Sequence, residues 1–86
     1  MNLRVTNLSL HVVENDLQKL FSKYGEVQFV MIERDKRTGR SRGSAFVEMP
    51  IQAQATQAVR ALDKSEIDGQ TISVYEIEYK AGEYNN

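Results

Sequence analysis

Apolar and polar positions alternate at the start of the chain, with Leu3 and Val5 set against Arg4 and Thr6, and Leu8 just beyond. Residues two apart share a face of a strand, so this stretch reads as a short half-buried β-strand. Asn7 and Ser9 mark its end. The period then changes: Leu17, Leu20, Phe21 and Tyr24 recur at i, i+3, i+4 and i+7, one stripe of an amphipathic helix. Asn15 with Gln18 offers a capping box at its start, and Gly25 a stop at its end. Val27, Phe29, Val30, Met31 and Ile32 are strongly β-prone and form a second strand. A bulge near Gln28 would place Val27, Val30 and Ile32 on one face.

Alternation returns after the turn signal Thr38-Gly39, where Ala45, Val47 and Met49 interleave with Ser44, Phe46 and Glu48 as a third strand. Pro50 suits the first position of a second helix. Ala55, Ala58, Val59 and Leu62 follow at helical spacing, and their small size implies close packing on a sheet. Asp68-Gly69 signals a tight turn. Ile72 and Val74 then alternate with Ser73 and Tyr75 as a last strand. The predicted class is α+β, a ferredoxin-like β-α-β-β-α-β sandwich with two helices on one face of a four-stranded antiparallel sheet. The other face is open. Parity places Arg4, Thr6, Met31, Glu33, Ser44, Phe46, Glu48, Ser73 and Tyr75 on it. The domain is expected over residues 1–79. Residues 80–86, with Gly82 and a double Asn end, read as a flexible tail, and Tyr79 just before it and Tyr84 within it are candidates to fold back over the sheet.

A chain of 86 residues makes one domain with little interior to spare for buried chemistry. It has no cysteine, hence no disulfide framework and no thiolate metal site. Its apolar runs are too short for a membrane span, and Met1-Asn2-Leu3-Arg4 lacks the pattern of a signal peptide. A cytoplasmic location is the expectation. Enzyme signals are poor. His11 is the single histidine, in a loop and without an obvious catalytic partner. Glycine-rich phosphate loops are missing, as are His/Cys clusters for a metal. Glu33 and Glu48 read as ion-pair partners of nearby arginines, not as a catalytic dyad. No cofactor and no small-molecule substrate are expected.

Charge changes the picture through its distribution. The net charge is -1, which by itself argues mildly against nucleic acid. Yet Arg34, Lys36, Arg37, Arg40 and Arg42 crowd one short stretch with Asp35 as the only opposing charge. Acid collects toward the other end in Glu66, Asp68, Glu76, Glu78 and Glu83. A basic arm on an acidic body implies localised contact with an anion.

Particular motifs narrow the family. Leu3-Arg4-Val5-Thr6-Asn7-Leu8 resembles the six-residue RNP motif of RNA recognition motif (RRM) domains, and Arg42-Gly43-Ser44-Ala45-Phe46-Val47-Glu48-Met49 resembles their eight-residue RNP motif. Leu17 to Gly25 looks like the family's first helix, residues 35–43 like its loop before the third strand, and Ile67-Asp68-Gly69 with Ile72 and Val74 like the lead-in to its fourth. The resemblance covers residues 2 to about 78 and is similar in form to small single-RRM proteins of bacteria.

The resemblance implies RNA bound by base stacking on three aromatic side chains of the sheet. Those positions fall on Arg4, Ser44 and Phe46, of which only Phe46 is aromatic. Two lost platforms would remove roughly 2–6 kcal/mol. A planar guanidinium at Arg4, the ring of Tyr75 and the basic loop offset part of that loss. The expectation is weak, salt-sensitive binding of single-stranded RNA through Arg4, Thr6, Met31, Ser44, Phe46, Glu48 and Tyr75 on the sheet and Arg37, Arg40 and Arg42 on the arm, with Arg42 where the family contacts phosphate. Plainer readings stand beside it. Arg4 can pair with Glu48 across the sheet and close the platform, and Phe46 can simply pack on Met31 or Arg4. A protein-interaction module of the same fold, including a homodimer, is the alternative function.

Overall fold

The computed structural model describes residues 1–78, so the expected tail over 80–86, with Tyr79 and Tyr84, lies outside the described residues. The elements run β1 (Asn2–Thr6), α1 (Glu14–Ser22), β2 (Phe29–Arg34), β3 (Ser41–Glu48), α2 (Gln52–Leu62), β4 (Glu66–Ile67), β5 (Gln70–Thr71) and β6 (Ser73–Ile77). Four strands form one antiparallel sheet in the order β2-β3-β1-β6. The expected β-α-β-β-α-β order holds. The tight turn at Asp68-Gly69 closes an added two-stranded hairpin, β4 with β5, and both turn residues take positive φ, as a type I′ turn requires.

One face of the sheet carries the core. Leu3, Val5, Ile32, Ala45, Val47 and Val74 point inward and meet Leu17 and Phe21 of α1 and Ala55, Ala58 and Leu62 of α2. Ala55 and Ala58 are fully buried, which lets α2 approach the sheet closely. Helix α1 lies against β2, and α2 against β6. Among the described residues no helix is long and apolar enough to cross a membrane.

Four local expectations are corrected. The cap of α1 is not Asn15 with Gln18. Val13 is the flanking residue, and its N–H donates to the Asp16 carboxylate at 3.0 Å. Asn15 already lies inside the first turn, whereas Asp16 brings a negative charge to the positive helix end. Secondly, α1 ends at Ser22, before Gly25. Gly25 instead admits α2: a Cβ there would clash with the Gln54 side chain, whose Oε1 accepts the Glu26 N–H at 2.9 Å. Thirdly, Pro50 does not open α2. Ile51 is extended and its carbonyl accepts the Ala55 N–H at 3.0 Å, so the helix starts at Gln52.

The fourth correction bears on the open face. No bulge occurs at Gln28. The Gln28 N–H donates to the Glu48 carbonyl at 2.8 Å, pairing is regular from Phe29 to Ile32, and the irregularity falls between Ile32 and Arg34. Val27 reaches the core from the connection ahead of the strand, so the ladder needs no insertion to accommodate it. Phe29 therefore shares the open face with Met31.

Candidate nucleic-acid interface

Register lines up the open face in transverse rows. Met31 opposes Phe46, Phe46 opposes Arg4, and Arg4 opposes Tyr75. This row crosses all four strands. Directly opposed side chains on neighbouring strands have Cβ atoms about 4.5–5.5 Å apart, so the four form one continuous strip. A second row runs Phe29, Glu48, Asn2 and Ile77. On the other side, Thr6 opposes both Ser44 and Ser73, with Glu33 beside Ser44.

Arg4 organises the centre. Its guanidinium carbon lies 4.4 Å from the centroid of the Phe46 ring, a cation–π stack. One end of the same guanidinium, Nη2, donates to Glu33 Oε1 at 2.9 Å. The partner is thus Glu33 and not Glu48. Arg4 on β1 must span β3 to meet Glu33 on β2, and the flat face of Phe46 supports the side chain along that path. The hydroxyl of Ser44 donates to the same Glu33 oxygen, and Ser44 is buried. Hydrogen bonds from Ser44 and then Arg4 hold the Glu33 carboxyl below its ordinary range. The other end of the guanidinium, Nη1, is buried and has no hydrogen-bond partner among the described residues.

The basic arm is shaped by its one acid. Asp35 Oδ1 accepts the N–H of Arg37 at 2.8 Å and of Thr38 at 3.0 Å. These bonds, Thr38 first, depress its carboxyl. Backbone bonds from Asp35 N–H to the Arg40 carbonyl and from Gly39 N–H to the Asp35 carbonyl, both 2.8 Å, close the loop. Arg34 also lines the groove beside the arm but is already partnered: it pairs with Glu14 at 2.9 Å and donates to the Gly39 carbonyl of the arm. Lys36, Arg37, Arg40 and Arg42 are exposed, and none is ion-paired among the described residues. An open groove of about 480 Å³ runs between the arm and the sheet, lined by Met31, Glu33, Lys36, Arg37, Arg42 and Phe46 among others. One wall is cationic, and the floor holds an aromatic ring.

The profile of the RNA recognition motif family matches residues 3–73. The chain belongs to that family. Among relatives of this RRM is one named "Putative RNA-binding protein RbpE" from Nostoc sp., 45% identical over 74 residues, which are 86% of this chain and 75% of that protein. Among solved structures, "RNA Binding Protein PG1" superposes with a TM-score of 0.90 at 39% identity, covering 93% of this chain and 96% of that one. The "Sxl-lethal protein/RNA complex" superposes with a TM-score of 0.81 at 41% identity, covering 86% of this chain and 46% of that one.

Within this RRM, the structure brings Met31, Phe46, Arg4 and Tyr75 together in one strip, with Thr6 and Glu48 in the flanking rows. It brings Arg37 and Arg42 to the groove. Arg40 is exposed on the arm but does not line the groove, and Ser44 is buried on the open face with its hydroxyl committed to Glu33. Phe29 joins this face beyond the sequence expectation and is 48% exposed there. Alternation read backward from buried Ile32 does find it, because Val30 then points inward and Met31 and Phe29 outward.

Proposed function

We propose that this RRM binds single-stranded RNA weakly across the open face of its sheet. The observation that carries this reading is the strip Met31-Phe46-Arg4-Tyr75 lying beside a cation-walled groove. A base stacks on Phe46 or on the guanidinium plane of Arg4, and Tyr75, 46% exposed, extends the strip on the far edge. Arg42 and Arg37 receive phosphates from the groove side, and Arg40 adds to the field of the arm. A phosphate or base oxygen that draws Arg4 outward gives Nη1 the acceptor it lacks. Thr6 and Glu48 border the strip, while Ser44 acts through Glu33.

Weakness follows from the two family positions that carry no aromatic ring, each such ring contributing roughly 1–3 kcal/mol per stacked base. The likeness to proteins named as RNA-binding, and to one solved with RNA, supports RNA over a protein partner as the occupant. Titration of short RNA pools into the full chain at low salt tests the reading. Saturable binding that weakens as salt rises is expected, and affinity no tighter than about millimolar, or roughly 4 kcal/mol, would end it.

A further inference from the structure

The groove and the extra aromatic ring both lie on the β2 side of the sheet. Phe29 stands on the edge strand, two residues before Met31 on the same face, and directly opposite Glu48 of β3. It belongs to none of the three positions at which the family resemblance places aromatic rings. Its exposure, 48%, is the highest of any ring on the face among the described residues. Glu48 is half-buried, and its carboxylate has neither an ion pair nor a side-chain hydrogen bond among the described residues. A bare carboxylate between an aromatic ring and Asn2 repels phosphate. It accepts hydrogen bonds and offers none. Its natural ligand on a base is therefore an edge rich in N–H donors.

We propose that Phe29 and Glu48 form a second base site, in which Phe29 stacks a purine and Glu48 accepts the N1–H and exocyclic N2–H of guanine. Guanine is singled out because those two donors are adjacent and coplanar, matching the fork of a carboxylate. Adenine and cytosine present one amine beside a ring acceptor, and uracil presents one N–H flanked by two carbonyl oxygens that the carboxylate repels. Phe29 and Phe46 are diagonal neighbours across β2 and β3, within reach of aromatic side chains. Successive splayed nucleotides can then occupy the two rings, with their phosphates toward the groove and away from Glu48. The track of the strand is thereby displaced toward the β2 edge, compensating for the missing ring at Ser44. This inference rests on the single-stranded RNA reading above.

Three uridine-rich hexamers identical except for one central guanosine, inosine or adenosine, titrated into the full chain by fluorescence anisotropy, test it. Inosine lacks only the exocyclic amine. Guanosine is expected to bind about tenfold tighter than inosine or adenosine, the scale of one hydrogen bond to a charged group. Glu48→Gln should bring the guanosine-to-inosine ratio close to one. Phe29→Ala should weaken the guanosine hexamer by about 5- to 140-fold, the range for one stacked base. A wild-type ratio near one, or a ratio that survives Glu48→Gln, overturns the proposal. If binding depends on Phe46 but is indifferent to Phe29 and Glu48, only this second site fails. If none of the hexamers binds, the RNA reading fails with it.

Discussion

The guanidinium carbon of Arg4 lies over the ring of Phe46, 4.4 Å from its centroid, and the guanidinium is anchored there by Glu33. Arg4 occupies a family position expected to carry a ring, and the structure substitutes a planar cation held over the one ring that remains. Stacking surface is retained, but a cation pinned by a carboxylate must be partly released before it can serve a phosphate.

Phe46 lies on the open face, outside the buried core. Phe46→Ala should weaken binding of a short single-stranded RNA by about 5- to 140-fold, equivalent to roughly 1–3 kcal/mol. Phe46→Tyr should retain most of it. Anisotropy titrations of both variants, with circular dichroism to confirm the fold, measure the difference.

Glu33→Gln frees Arg4 and removes a negative charge from the groove. RNA affinity is expected to rise several-fold, while thermal stability falls by only about 0–1 kcal/mol because the pair is partly exposed. The pH dependence has a definite sign. Glu33 is held below its ordinary value near 4.5 by Ser44 and then by Arg4. A carboxyl depressed on folding contributes stability that is full above its unfolded value and is lost as pH falls through its folded value. The stability difference between wild type and Glu33→Gln should be constant at neutral pH and vanish in acid below that range. Denaturation midpoints from neutral pH into acid check this.

Arg42 and Arg37 line the groove without ion-pair partners among the described residues. Replacing either with Ala should weaken all RNA sequences alike and flatten the dependence of log affinity on log salt by about 0.7 for each phosphate no longer neutralised. Arg34→Ala should change that slope little, because Arg34 is committed to Glu14 and the Gly39 carbonyl. Affinities at several salt concentrations separate the two behaviours.

Gly25→Ala should destabilise the fold by about 1–3 kcal/mol, the usual cost of overpacking, since the new Cβ would meet the Gln54 side chain. Gln54→Ala in the same chain should recover part of the loss. Denaturant melts of the single and double variants form the cycle that measures the coupling.

Hydrophobic spacing identifies the core correctly. Leu3 and Val5, Leu17 and Phe21, and Ala45 and Val47 all face the interior as their periods require. Spacing misleads where two side chains compete for one role. Val27 has the look of a strand residue and so demands a bulge, yet it reaches the core from the preceding connection, and that demand hides Phe29. The site is legible in its members more than in their pairings. Parity alone places Arg4, Phe46 and Tyr75 on the open face. Which acid holds Arg4 depends on how far a guanidinium stretches over a ring between strands, and alternation carries no such information. The pairing of Arg34 with Glu14 similarly joins the edge strand to a helix distant in sequence, so a count of charges along the arm overstates the cations available.

The uncovered sheet face is the surface proposed to dock RNA. A backbone NMR titration of the full chain with mixed-sequence RNA hexamers at low salt reads it most directly. Shifts should concentrate at Arg4, Phe29, Met31, Phe46 and Tyr75 and along residues 36–42, fading as salt is added. Shifts confined to the outward surfaces of α1 and α2, or no shifts at all, would contradict the account.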